Sequence, residues 1–317
     1  MNKKIKALVY ELSNNARIST KDLGKKLKIS QQAASYLINS LQEKKTILYY
    51  STLIDPSKFG YSQVQVYVNY FDFSKRKEIL NYLKEEPHAV QIEELSQGYD
   101  LSIIFSVPNL SYYNKLIRDF LQKFKGSVNV AETYPIVVKH IYLRKYLAPR
   151  KQDHESVIAG DRDVEKLGIA EMAVLGSLWE NANQKIIEIH KKTKLNPKTI
   201  VKTKKFLEAS KIIRGYLTNF NLEALNINKK HIFLKSKDLS LSDDKKLLQF
   251  SLMHNNIVSL TRFIGDYDLL IEVEEEENSK KDVLKDLRME FPIKKYRVIG
   301  GGTIIKQKYI PKHNLFK

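Results

Sequence analysis

The chain has no cysteine among its 317 residues. Disulfides, thiolate metal ligands and a cysteine nucleophile are therefore excluded. No apolar run approaches the roughly eighteen residues of a membrane span. The start, Met1-Asn2-Lys3-Lys4, enters a polar helical pattern and not a signal peptide, so a cytoplasmic protein is expected. Catalytic signatures are scarce as well. There is no Walker loop and no nucleophile elbow. Seven histidines are scattered, none at a metal-ligand spacing. Gly300-Gly301-Gly302 lies in a strand-like segment with no helix after it, which fits a bulge or a close backbone approach better than a phosphate cradle. The carboxylate run Glu274–Glu277 reads as a solvated strand end. Neither an enzyme nor a bound cofactor or metal is expected.

What is present is a repeat. Shifted by 166 positions, residues 5–55 fall on 171–221 without a gap. Ala7, Leu12, Asn15, Ala16, Lys25, Lys26, Lys28, Leu41, Lys45, Ile47, Tyr50 and Thr52 return as Ala173, Leu178, Asn181, Ala182, Lys191, Lys192, Lys194, Leu207, Lys211, Ile213, Tyr216 and Thr218. The identities keep both the apolar spacing and the basic run, so a duplicated unit is the better reading.

Charge follows the repeat. The net charge is +18, of which residues 1–60 and 166–215 carry +7 each. Segments 61–147, 148–165 and 216–317 carry +2, −2 and +4. Two matched basic modules on a nearly neutral remainder are the footprint of a polyanion partner.

Each module reads as three short helices and a strand. Ile5, Leu8, Val9 and Leu12 keep a helical spacing. Ser19 or Thr20 caps a second helix, and Ser30 caps a third running from Gln31 to about Lys44. In the second copy Asn196 is the cap and Pro197 takes the first helical position. The last two helices are joined by a tight turn, a helix-turn-helix pattern, and the strand-like Ile47-Leu48-Tyr49-Tyr50 and Ile212–Tyr216 suggest a winged variant. The outer face of the third helix shows Ser30, Gln31, Gln32, Ser35, Tyr36 and Asn39. Its counterpart shows Lys198, Thr199, Lys202 and Lys205. Amides can bond base edges bidentately, whereas lysines satisfy phosphates as point charges. Copy one thus looks equipped to read sequence and copy two to grip the backbone of double-stranded DNA.

After each module the order is βαββαβ. In copy one there is a strand at 63–70, a helix at 75–87, strands at 89–97 and 100–107, a helix at 110–124 and a strand within 128–143. In copy two the strands are at 230–236, 257–264, 267–274 and within 293–310, with helices at 243–254 and 279–290. Such units leave one apolar sheet face open, so the two copies are expected to pair. The boundaries expected are 1–58 and 167–224 for the helix-turn-helix modules, 61–147 and 228–312 for the sheet domains, and a linker at 148–166.

Leu12…Asn15-Ala16-Arg17-Ile18-Ser19…Leu23, Ser30…Leu41-Gln42 and Ile47…Tyr50…Asp55…Phe59-Gly60-Tyr61 resemble the Lrp/AsnC (feast/famine) regulators of bacteria and archaea. The resemblance implies an α+β chain, with two copies of a winged helix-turn-helix followed by a βαββαβ ferredoxin-like (RAM-type) sheet domain. It implies a sequence-specific DNA-binding transcriptional regulator whose sheet domains assemble as an intramolecular pseudo-dimer and sense a small effector such as an amino acid. By resemblance the effector residues are Tyr99, Asp100, Gly265, Asp266, Tyr267 and Asp268, in the turns Gly98-Tyr99-Asp100 and Gly265–Asp268; plain turn chemistry is the competing reading. The chain departs from the family at Lys45 and Lys211, where a glycine often ends the third helix. Two alternatives stand beside this reading. One is a sirohaem-decarboxylase-like enzyme of related fold that enlists His140, Arg144 and Arg118. The other is a DNA-architectural protein without sequence preference.

Overall fold

The computed structural model describes residues 1–148, 154–237, 241–279 and 281–312. The first module consists of α1 (Lys3–Asn14), α2 (Thr20–Leu27), α3 (Gln31–Glu43) and β1 (Ile47–Ile54). Ser19 caps α2 by accepting from the Asp22 N–H, and Ser30 caps α3 by accepting from the Ala33 N–H. Copy one of the sheet then follows as β2 (Ser62–Tyr70), α4 (Arg76–Glu85), β3 (Ala89–Glu94), β4 (Leu101–Val107), α5 (Leu110–Lys123) and β5 (Val128–Tyr142). A short strand, β6 (Glu155–Ile158), leads to the second module: α6 (Ile169–Glu180), α7 (Ile186–Thr193), α8 (Pro197–Ala209) and β7 (Ile213–Phe220). The chain closes with β8 (Ile227–Ser236), α9 (Leu241–Met253), β9 (Ile257–Phe263), β10 (Leu269–Glu276), α10 (Val283–Glu290), β11 (Ile293–Gly300) and β12 (Thr303–Gln307). Most boundaries fall within two or three residues of the sequence reading. Helix α10 starts four residues late, because Asp282 caps it on the Lys285 N–H.

The strand after each third helix does not fold back on its own module. β1 and β7 pair with each other as a two-stranded antiparallel ribbon. Tyr50 lies opposite Thr218, Ser51 opposite Leu217 and Thr52 opposite Tyr216. The 166-residue shift relates 50 to 216, 51 to 217 and 52 to 218, so the ribbon has a local two-fold axis through the Ser51–Leu217 pair. The repeated threonines then do the same job twice. Thr52 Oγ1 donates to the Leu178 carbonyl at 2.6 Å, and Thr218 Oγ1 donates to the Leu12 carbonyl at 2.8 Å. Each strand end also completes the other module's core: Leu53 and Ile54 are buried among α6, α7 and α8, and Phe220 among α1, α2 and α3. Several identities visible in the sequence are therefore contacts between the modules.

The remaining strands form one sheet that turns on itself, in the order β11-β8-β10-β9-β5-β2-β4-β3-β12. β5 first pairs β2 and then runs on to pair β9 of the other copy. In the same way β12, just past β11, pairs β3. Gly302 permits this crossing, since a Cβ there would lie 1.9 Å from the Glu94 carbonyl oxygen. The glycine run is thus a close backbone approach. The helices cover the outer faces, where Ile79, Leu83 and Phe120 pack on Val64, Val66 and Val68, and Leu247 and Leu287 pack on Ile232 and Leu234. The inner faces meet, with the Tyr67 and Phe233 rings 5.2 Å apart.

Three expectations are corrected. The inner faces are not simply apolar: they bury Glu93, His231 and Glu272, with the side chain of Lys229 only 6% exposed between them. The Glu274–Glu277 run is not a solvated strand end, for Glu274 and Glu275 are buried and pair with Arg144 and Lys230. The linker is not a plain spacer. Its residues 149–153 lie outside the described residues, but β6 pairs with Lys139–Tyr142 and adds a strand to the sheet. Beyond β6, Asp55, wholly buried, accepts from the Ala159 N–H at 3.1 Å, Arg162 Nε at 3.0 Å and Arg214 NH2 at 2.7 Å. One carboxylate ties together the end of β1, the linker and β7.

Candidate nucleic-acid interface

The outer faces of α3 and α8 are free of protein packing. Gln31, Gln32, Tyr36 and Asn39 are exposed, with Tyr36 at 73%, and Ser35 is half-buried. These five side chains line an open hollow. Ser30 contributes as the cap and leaves a helix N-terminus facing outward. On α8, Lys198, Thr199, Lys202 and Lys205 are all exposed. No carboxylate among the described residues pairs with those three lysines; Lys204, one position away, is held by Glu208 at 2.6 Å. Lys25, Lys28, Lys191 and Lys194 are exposed beside the same turns. The inner positions Ala34 and Leu41, matched by Ile200 and Leu207, are buried. The split into a buried and a presented face follows the sequence reading, and its chemistry differs between copies as the residues do.

The turn that feeds each third helix is tight enough to need a left-handed residue. Lys28 and Lys194 have φ of 55° and 61°, and Lys45 and Lys211, just past the third helices, have φ of 54° and 59°. These are the positions where a β-carbon costs about 1 kcal/mol or more and glycine is favoured. The pairs are repeat-equivalent, so the sequence kept lysine at four strained sites. The added positive charge at the helix ends partly offsets the strain.

The expected effector residues are drawn together, but onto an arginine that sequence reading missed. Arg297 on β11 contacts the Tyr99 hydroxyl, donates to Glu132 Oε1 at 2.6 Å, and lies 5.1 Å from the Tyr267 ring centroid. Tyr99 and Tyr267 come from different copies and share this one cation. Asp266 pairs with Lys295 at 2.5 Å. The two aspartates hold backbone: Asp100 Oδ2 accepts from the Tyr70 N–H at 2.7 Å, and Asp268 Oδ2 accepts from the Ser236 N–H at 3.1 Å. Gly265 stands against Tyr134, whose ring a Cβ would approach to 2.9 Å. Turn chemistry accounts for Asp100, Asp268 and Gly265. The alternation Lys295-Tyr296-Arg297 was the one available sign of a basic β11 face.

The inner faces hold a second charged group. Glu93, His231 and Glu272 bring ligand atoms within 4.8 Å of one another, a set that could hold a cation. An ammonium already stands there: Lys229 Nζ lies 3.0 Å from Glu93 and 2.8 Å from Glu272, and Lys139 lies 2.9 Å from Glu272. Burial by itself would raise the Glu93 carboxyl, but Lys229 and His231 outweigh it and hold the group down at about 2. The three residues suggested for an enzyme do not converge. His140 is paired with Glu155 at 2.7 Å, Arg144 is bidentate on Glu274, and Arg118 is exposed on α5.

Residues 1–47 match the family described as winged helix-turn-helix DNA-binding. The chain is 29% identical over 108 residues to the HTH-type transcriptional regulator Ptr1 of Methanocaldococcus jannaschii, which spans 34% of this chain and 73% of that protein. It is 22% identical over 133 residues to the HTH-type transcriptional regulator FL11 of Pyrococcus horikoshii, covering 42% and 85%. In fold it is similar to the siroheme decarboxylase NirDL, solved in complex with an iron-uroporphyrin III analogue, with a TM-score of 0.59, 12% identity, and 99% and 96% of the two chains covered. At that identity the likeness speaks for the architecture alone. No helix among the described residues is long and apolar enough to cross a membrane.

Proposed function

We propose that this chain, a winged helix-turn-helix protein of the Lrp/AsnC type, is a sequence-specific DNA-binding transcriptional regulator that carries both of its DNA-contacting modules on one polypeptide. The observation that carries the reading is the exposed face of α3, where Gln31, Gln32, Ser35, Tyr36 and Asn39 surround an open hollow on a module of net charge +7. Glutamine and asparagine amides match adenine edges in the major groove. The lysine face of α8 supplies phosphate contacts, which fix register without reading bases. The ribbon of β1 and β7 holds the two modules in one relative orientation, so both meet the same duplex. The operator is only roughly palindromic in this reading, because one half is read and the other gripped. Its half-sites lie about one helical turn apart.

Binding to a pool of random duplexes, selected over several rounds at two salt concentrations, tests the reading. An enriched motif with affinity falling steeply in salt is the expected result. Salt-sensitive binding with no enriched motif favours an architectural protein. Absence of binding at both salts removes the regulator reading.

A second reading is an enzyme acting on a tetrapyrrole, as the siroheme decarboxylase NirDL of like architecture does. It is the weaker one, because His140 and Arg144 are already engaged by Glu155 and Glu274. An effector such as an amino acid would bind near Tyr99 and Tyr267, with Arg297 as the cation for its carboxylate, by displacing the guanidinium's contact with Glu132. Thermal-shift titration of Arg297→Ala against the parent with free amino acids tests that part separately.

A further inference from the structure

The ribbon of β1 and β7 joins the two helix-turn-helix modules, but it has only two strands. Two-stranded ribbons twist over a wide range, so strand pairing alone leaves the angle between the modules soft. A second tie joins their turns, and one side chain makes it. Arg17, in the turn between α1 and α2, reaches the turn between α6 and α7. Its Nη1 donates to the Ala182 carbonyl at 2.6 Å and to the Gln184 carbonyl at 2.8 Å. The same guanidinium lies 5.3 Å from the centroid of the Tyr216 ring on β7. Charge-assisted bonds to two carbonyls, with a ring beside them, hold a planar group in one orientation.

The tie extends to the DNA-facing helix of module two. Tyr216 Oη donates to Glu208 Oε1 on α8 at 2.7 Å, and Glu208 pairs with Lys204 at 2.6 Å. Lys204 Nζ lies 5.4 Å from the same ring centroid, so the ring meets two cations. The matched positions of the other copy lack this arrangement. Along the repeat Arg17 corresponds to Asn183, Lys204 to Ile38, Glu208 to Gln42 and Tyr216 to Tyr50. Asn183 is exposed, and Tyr50 takes a bond of 3.1 Å from Gln42 Nε2. No cation among the described residues lies over the Tyr50 ring. Module one grips module two through a charge, and module two offers no arginine in return.

We propose that Arg17 is a positioning residue for DNA recognition: through the 181–184 turn and Tyr216 it fixes α8 relative to α3, and so sets the half-site spacing that the chain accepts. Recognition helices that meet successive major grooves can both seat only where the spacing matches the geometry between them. A tie that narrows this geometry narrows the range of spacings. The inference rests on the reading of the chain as a DNA-binding regulator, and adds to it a determinant of specificity that lies at the junction of the modules and not on the faces of α3 and α8.

The test uses the full chain and two readouts. Gln32→Cys and Lys202→Cys place nitroxide labels on α3 and α8 in a chain with no other cysteine, and double electron–electron resonance reads the distance between them. Arg17→Ala should widen that distance distribution. On duplexes selected by the unlabelled parent, moving the half-sites apart by about two base pairs should weaken the parent about tenfold and the Arg17→Ala chain about threefold. Arg17→Lys keeps the charge without the planar fork and should fall between; it replaces Arg17→Ala if far-UV circular dichroism shows that the first variant does not fold. An unchanged distance distribution overturns the proposal. A widened distribution with the parent's spacing preference intact overturns the role in specificity. A parent that binds no DNA, or all spacings alike, removes the spacing role together with the regulator reading, while the label distances still show whether Arg17 ties the modules.

Discussion

The two helix-turn-helix modules have the same element order and the same strained lysines, and they present opposite chemistries. On α3 the outward residues are amides, hydroxyls and a tyrosine; on α8 they are lysines. Residues that build the module, such as Leu12, Leu41 and Thr52, match their counterparts, while the presented residues are free to diverge. The comparison teaches that equal scaffolds need not bind equally. It also locates the inequality in side chains on the outward faces of the third helices. The same contrast recurs deeper down, where Asp55 is a charged hub and its counterpart Asn221 is not.

That last contrast can be broken most forcefully. Asp55→Ala leaves Arg214 and Arg162 beside an apolar site and should cost about 3–5 kcal/mol of stability, the loss typical of breaking a buried ion pair. Asn221→Ala removes only its acceptor for the Ala224 N–H and should cost about 1 kcal/mol. Urea unfolding of both variants decides; equal losses would mean that the clasp contributes no more than a turn.

Acid should act on the inner faces. The Glu93 carboxyl is held at about 2 in the folded protein, by Lys229 and His231 against its burial, below its ordinary value of 4.5. A lowered carboxyl binds fewer protons folded than unfolded. Its stabilisation is therefore complete above pH 4.5 and is lost as pH falls from 4.5 towards 2. Denaturant midpoints measured across that range should drop, and Glu93→Gln should flatten the drop while lowering stability at neutral pH.

On DNA the two faces should respond differently. Gln32→Ala and Asn39→Ala should each remove about 1–3 kcal/mol of preference for the selected site and leave random duplexes unaffected. Lys202→Ala and Lys205→Ala should weaken both kinds of duplex alike, each lowering the slope of log affinity against log salt by about one. Fluorescence anisotropy with matched and scrambled duplexes separates the two patterns. Parallel losses across all four variants would collapse the division of labour.

The smallest effect tests likeness instead of difference. Lys45→Gly and Lys211→Gly relieve the same left-handed backbone and should each stabilise the chain by about 0.5–1 kcal/mol. A gain in one copy alone, read by thermal unfolding, would show that the two turns are not equivalent in solution.

Much of this was legible in the residues. Helix caps at Ser19, Ser30 and Asn196, the apolar spacing of each helix and the alternation of Val64, Val66 and Val68 are local signals, and the elements they mark stand where the periodicity places them. The presented faces of α3 and α8 were legible for the same reason, since exposure on a helix follows from spacing. The turns at Gly98–Asp100 and Gly265–Asp268 were marked by a motif, but not Arg297, which reaches Tyr99 from 198 positions away. Glu274 could not be distinguished from the exposed Glu277, because its burial depends on Arg144, 130 positions earlier.

The two basic modules, the face each helix presents to solvent and the order of strands within each copy follow from the residues alone, because they depend on neighbours a few residues apart. The pairing of β1 with β7, the strand within the linker and the charged group of Glu93, Lys229, His231 and Glu272 arise only on folding. The ribbon and the Glu93–Lys229 pair join residues more than 100 positions apart, and even the nearer β6 pairing forms through backbone hydrogen bonds that any sequence can offer, while the charges carry no mark of their partner until the chain has closed upon itself.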